Sequence, residues 1–264
     1  MASMKRTPVT INFDLYPKEF EDLLKGAELY DSSCSDEAKV LFIDKDDGYY
    51  LKCSGKGTLR KEAELSRYFH SKGLGVEIIS YISTDRDYLL SRKAKGEDCT
   101  HSLYIEDPER LARTLGKLLR ELHQTPFEDC PEQKRMDAYI KLAKENRKEG
   151  RYDLSLFGEG TIFKSADEAW QTLEKGAHLL KNECLIHGDY CLPNIILDDF
   201  EFSSFIDLGN AGVADRHVDI FWGVWTLWFN LKTDKYTDIF FDAYGREKIS
   251  PEILRIVAAA EIFG

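Results

Sequence analysis

The stretch LIHGDYCLPNIILDDFEFSSFIDLG, from Leu185 to Gly209, sets two carboxylates and a carboxamide at the ends of apolar runs. Asp189 follows His187-Gly188, Asn194 closes the spacing D-x-x-x-x-N, and Asp207 leads Leu208-Gly209. Charge at the end of a buried strand is costly unless a partner offsets it. Phosphoryl transfer supplies such partners. It needs one carboxylate to orient an attacking hydroxyl and accept its proton, and oxygen ligands for magnesium ions that bridge phosphates. A catalytic loop of that chemistry spaces its base and its metal-binding Asn as D-x-x-x-x-N, with the second metal carboxylate on a following strand end. Taken alone, Asp189 or Asp207 reads as a turn residue bonded to its own backbone. The joint pattern favours chemistry.

The same reaction needs a cation on the phosphates, commonly a strand lysine paired with a helix glutamate. Lys52 ends the YYL strand, and Glu62 lies in the next helical pattern, with Glu64 as the alternative. Neither G-x-G-x-x-G nor G-x-x-x-x-G-K-[ST] occurs in the chain. The candidate cover for the phosphates is therefore the turn DSSCSDEAK, with Ser35 inside it, although its serines equally suit a plain turn.

These groups need elements to hold them. AKVLFID and GYYLKCS flank Lys45-Asp46-Asp47-Gly48, and the Asp-Gly pair marks a hairpin. TLRKEAELSRYFHSKG carries Leu59, Ala63, Leu65 and Phe69 near helical spacing and ends on glycine. VEIISYIS and DYLLS form a second strand pair around residues 84–87. From Asp107-Pro108, a cap plus first-turn proline, the texture turns helical, with a stripe of Leu111, Leu115, Leu118, Leu119 and Leu122. Ser165-x-x-Glu168 is a capping box, and helical patterns begin near Asp215, Thr233 and Ser250. The expected organisation is an α+β fold with a β-rich lobe at 1–92, a linker at 93–96 and a larger, mainly helical lobe at 97–264. A cleft between lobes is a common ligand site.

Composition sets the outer limits. The chain has 264 residues, is 43% hydrophobic and 31% charged, and carries a net charge of −11. That balance fits a soluble globular protein and disfavours nucleic acid, because no basic surplus exists to neutralise phosphates. It suits a cationic partner, though solubility explains it equally well. The longest apolar window, IFWGVWTLWF, is too short to span a bilayer, and MASMKRTP lacks the apolar run of a signal peptide. The six cysteines contain no C-x-x-C pair and read as reduced thiols, mostly small core residues, in a cytoplasmic protein. A monomer or weak dimer is expected.

HGDYCLPNIIL, FIDLGNAGVADRHVDI and LHQTPFEDCP together resemble the aminoglycoside 3′-phosphotransferases, the kanamycin and neomycin kinases. The likeness runs through both proposed lobes, from YYLK to the acidic and aromatic ending. The shorter H-G-D-x4-N set also occurs in choline kinases and other small-molecule kinases. The resemblance implies a two-lobed, protein-kinase-like fold, with ATP or GTP and Mg²⁺ as cofactors and phosphorylation of a drug hydroxyl as the activity. By motif position Asp189 is the base, and Asn194 and Asp207 are magnesium ligands. Lys52 holds the phosphates, Glu62 orients it, Tyr50 stacks on the purine, and the linker from Ser91 to Ala94 bonds the purine edge. Asp215 and Asp219 brace the catalytic loop. Asp153, Glu159 and Glu261 are the candidate carboxylates for a polycationic drug.

Two positions depart from the family. Asn210 stands where close members carry Arg, so either Arg216 or nothing supplies that cation. The ending Ala260-Glu261-Ile262-Phe263-Gly264 has one fewer acid and an extra glycine. Two rival readings remain at this level. One is a kinase of the same fold acting on a macrolide, sugar amine or choline; the other is a nucleotide-binding module without turnover.

Overall fold

The computed structural model describes residues 6–34, 38–157 and 162–264. The expected candidates Ser35 and Glu159 lie outside them. The described chain divides into two compact units. One comprises the described part of Met1–Glu106 with Leu192–Asn210; the other comprises that of Asp107–Cys191 with Ala211–Gly264.

A six-stranded antiparallel sheet builds the first unit. Its strands are β1 (Thr7–Pro8), β2 (Glu28–Asp31), β3 (Lys39–Asp44), β4 (Tyr49–Gly55), β5 (Ile78–Ser83) and β6 (Arg86–Arg92). They lie in the order β1-β2-β3-β4-β6-β5. Asp46 and Gly48 take positive φ in the β3–β4 turn, as the Asp-Gly pair requires. Alternation buries Leu41, Ile43, Leu51 and Cys53 against Phe20 and Leu24, the latter on the short helix α1 (Glu21–Leu24). Helix α2 (Arg60–Ser71) follows, and its first turn has no capping side chain of its own. Asp87 of β6 does that work from across the fold, accepting from Leu59 N at 2.9 Å. Being fully buried, it also takes Ser83 Oγ at 2.7 Å and Tyr81 OH at 2.9 Å, and these hydrogen bonds hold its carboxyl below the usual range against burial.

The same unit contains a three-stranded sheet of β7 (Glu97–Asp98), β9 (Ile195–Asp198) and β10 (Glu201–Phe205), in the order β10-β9-β7, and the short helix α3 (Ser102–Ile105). Gly96 enters β7 at φ +94°, and a Cβ there would sit 2.0 Å from Leu197 O. No other residue fits this position without moving β9.

The second unit is mainly helical: α4 (Pro108–Leu122), α5 (Arg135–Lys148), α6 (Ala166–Gly176), α7 (His217–Leu231), α8 (Thr237–Tyr244) and α9 (Pro251–Glu261). Asp107 caps α4 through Arg110 N at 3.2 Å, and Leu111, Leu115, Leu119 and Leu122 are fully buried while Leu118 is half-buried. Ser165 caps α6 through Glu168 N at 3.1 Å, and Glu168 reaches back to Lys164 N at 2.9 Å, one residue before the cap. Ser250 caps α9 through Ile253 N at 3.3 Å. Helix α5 carries no sequence signature comparable to these. Asn182 Oδ1 accepts from Met136 N at 3.1 Å in its first turn, a partner far along the chain. Strands β8 (Cys184–Ile186) and β11 (Gly212–Ala214) pair antiparallel within this unit. The six cysteines form no disulfide, and five are buried. Among the described residues no helix is long and apolar enough to cross a membrane.

Candidate active site

Strand β4 carries Lys52 into a cavity of about 340 Å³ within the first unit. Seven of the residues singled out in the sequence line it: Tyr50, Lys52, Glu62, Ser91, Ala94, Asn194 and Asp207. Lys52 Nζ lies 3.0 and 2.8 Å from the two Glu62 oxygens and 2.8 Å from Asp207 Oδ1. Glu64 bonds Arg60 instead, so Glu62 is the helix partner. Burial works against the Lys52 charge, yet Asp207 and Glu62 outweigh it and push its pKa up to about 12. Glu62, almost fully buried, has its pKa raised by that burial, with Lys52 opposing.

Asp207 has a positive φ of 58° and a half-exposed side chain, so the chain turns here and presents the carboxylate to the cavity. Ile206 N donates to Asn194 O at 3.1 Å, which ties the two prospective oxygen ligands together through backbone. Among the described residues no group of three or more His, Cys, Asp or Glu is placed to hold a metal ion. Magnesium taken up with a nucleotide needs only one or two carboxylates beside the phosphates and water, and Asp207 with Asn194 suits that demand.

Several lining residues escaped the sequence reading. Val40 and Ile196 give the cavity apolar faces, and Asp98 and Arg6 reach it as well. Val40 stands opposite Lys52 in the ladder, so its place was recoverable once the hairpin was assumed. Asp98 and Arg6 carry no motif.

In the second unit, the loop after β8 brings Asp189 to a half-buried position. Gly188 takes φ +82°, the left-handed turn that the H-G-D order supplies. Fully buried Asp219, in the first turn of α7, accepts from His187 N and Gly188 N at 2.7 Å each. His123 Nε2 lies 3.3 Å from the same carboxylate, and burial holds its pKa down. Asp215 accepts from Lys181 N at 3.1 Å, His217 N at 3.0 Å and His217 Nδ1 at 2.7 Å. Asp219 thus braces the H-G-D turn, and Asp215 fixes the start of α7. Arg216 bonds Glu183 at 2.6 Å.

The two described substrate candidates lie on neighbouring segments, Asp153 N donating to Ile262 O at 2.8 Å, but differ in exposure. Asp153 is exposed, and its Oδ1 accepts from Ser155 N at 2.8 Å and Ser155 Oγ at 2.6 Å. Glu261 is half-buried and accepts from Tyr139 OH at 2.7 Å and Trp222 Nε1 at 3.1 Å. Burial pushes its pKa up to about 7; those two hydrogen bonds oppose the shift, and the charge of Asp189 adds to it.

Residues 32–256 match the phosphotransferase enzyme family. The chain belongs to that family. It is 47% identical over the whole length of both chains to a probable aminoglycoside 3′-phosphotransferase of Lactococcus lactis. Among solved structures, an aminoglycoside 3′-phosphotransferase of type VIII superposes with a TM-score of 0.76 at 22% identity, covering 94% of this chain and 100% of that one. An aminoglycoside phosphotransferase of Streptomyces rimosus, solved with ADP and streptomycin, superposes with a TM-score of 0.70 at 20% identity, over 96% of this chain and 99% of that one. At such identities these structures establish the fold, which is the α+β fold of this phosphotransferase family.

Proposed function

We propose that the chain transfers the γ-phosphoryl group of a nucleoside triphosphate to a hydroxyl of an aminoglycoside antibiotic and so confers resistance. The observation that carries this reading is the Lys52–Glu62–Asp207 cluster in a cavity that Asn194 also lines. The relatives' names support the substrate class, and the nucleotide in the Streptomyces rimosus structure supports the cofactor.

In this reading Lys52, held by Glu62, binds the phosphates, and Tyr50 with the Ser91–Ala94 backbone takes the base of ATP or GTP. Asn194 and Asp207 hold Mg²⁺, which when bound neutralises charge on the phosphates. Asp189 accepts the proton of the drug hydroxyl as its oxygen bonds to the γ-phosphorus. The bond from that phosphorus to the bridging oxygen breaks, and the nucleoside diphosphate leaves. Glu261 and Asp153 attract the drug's ammonium groups. The lobe division with a linker at 93–96, a monomer or weak dimer, and a cytoplasmic location belong to the same proposal.

The test is a panel assay of ATP and GTP consumption with kanamycin, neomycin, a macrolide and choline. Turnover with kanamycin or neomycin, with the phosphorylated drug seen by mass spectrometry, is the expected result. Turnover with choline or the macrolide instead would transfer the activity to the rival substrate class.

A further inference from the structure

We infer that Arg6 is a positioning residue for the nucleotide, acting through Tyr50, so that the N-terminal strand is part of the nucleotide site; this rests on the cavity being that site. Ladder register is the first support. Pro8 stands opposite Tyr30, Tyr30 opposite Phe42, and Phe42 opposite Tyr50. Side chains paired in this way share one face of the sheet, and Arg6, two residues before Pro8, falls on the same face. The short pairing of β1 with β2 thus carries a guanidinium across three strands' width to the cavity.

Contact geometry is the second support. The Arg6 guanidinium carbon lies 3.8 Å from the centroid of the Phe42 ring, and its Nη2 donates to Tyr50 OH at 2.7 Å. Phe42 is buried and packs on Tyr50 at 5.2 Å between centroids. Tyr50 is therefore held at both ends, by Phe42 along its ring and by Arg6 at its hydroxyl. Arg6 is otherwise exposed. A long, charged side chain spends conformational entropy to stay over a ring, so this arrangement needs a reason. Fixing the plane of a purine-stacking tyrosine before nucleotide arrives is such a reason, because the ordering cost is then met in the free protein.

The experiment uses the full chain and the fluorescent nucleotide mant-ADP. Arg6→Met keeps an apolar stem over Phe42 and removes the guanidinium. It is expected to weaken mant-ADP binding roughly 3- to 10-fold, the scale of an exposed charge-assisted or cation–π contact. The nucleotide KM rises by the same factor, and the change falls on KM rather than on kcat. In a Tyr50→Phe background, which lacks the bonded hydroxyl, Arg6→Met should add little. Unchanged mant-ADP affinity in Arg6→Met overturns the inference. So does an equal loss in both backgrounds, which would mean direct attraction of the phosphates. Tyr50→Ala separates this inference from the reading beneath it. If Tyr50→Ala binds mant-ADP normally, the assignment of the cavity falls; if it binds poorly while Arg6→Met binds normally, only the role of Arg6 falls.

Discussion

Lys52 and Asp207 form an ion pair, with Nζ 2.8 Å from Oδ1, although one belongs to a hairpin strand and the other to a turn much later in the chain. That contact joins the two signatures that the sequence kept apart, the strand lysine and the D-L-G carboxylate. It also makes Lys52 the shared cation of two acids, Glu62 and Asp207, of which Glu62 is the more deeply buried.

Lys52→Met is expected to destabilise the protein by about 1–3 kcal/mol near neutral pH, because Glu62 is left buried without its cation. Burial already raises the Glu62 pKa, and Lys52 is what lowers it, so in the variant it rises further. A raised carboxyl favours the fold below its unfolded pKa, and that contribution is lost as pH rises through the folded value. Thermal melts should therefore show a larger deficit at about pH 8 than at about pH 5. A deficit equal at both would reject this account of Glu62.

Asp189→Ala and Asp207→Ala should fail in opposite ways. Losing a general base lowers kcat by about 10²- to 10⁴-fold, with mant-ADP binding retained. Losing a metal carboxylate weakens Mg²⁺-dependent nucleotide affinity, with less effect when Mg²⁺ is omitted. Near-normal kanamycin phosphorylation by Asp189→Ala would remove it from the role of base.

Asp219→Ala strips the partner from the backbone N–H groups of His187 and Gly188. Each buried donor left unmade costs about 1–3 kcal/mol. The expected outcome is a clear loss of melting temperature together with a fall in kcat, since the H-G-D turn loses its brace. Asp219→Asn keeps one acceptor oxygen and should fall between. A variant that melts like the wild type yet loses turnover would show that Asp219 does more than brace.

Glu261→Gln tests a carboxyl whose pKa burial has pushed up to about 7. Its folded value exceeds its unfolded one, so its contribution is present below the unfolded pKa and is lost as pH rises through about 7. The amide oxygen can still accept from Tyr139 and Trp222 but cannot ionise. The variant should gain roughly 2–4 °C at about pH 8 relative to the wild type, and nothing at about pH 5. Parallel melting curves across that range would show that Glu261 titrates elsewhere.

Much of this was legible in the chain itself. Asp189 and Asn194 stand out because one loop fixes their spacing, Asp207 because the short β9–β10 hairpin returns the chain to Asn194, and the hairpin Asp-Gly pair and the caps at Asp107, Ser165 and Ser250 act within a few residues of themselves. Tertiary structure decided the rest. Glu62 rather than Glu64 pairs with Lys52, because α2 turns that face towards β4. The start of α2 is capped by Asp87 from β6, the first turn of α5 by Asn182, and the plane of Tyr50 is held by Arg6. A sequence records short-range preferences directly, since backbone and side chain interact over one or two turns. It records which distant groups meet only through strand register and packing, and those are settled when the whole chain buries its apolar faces together.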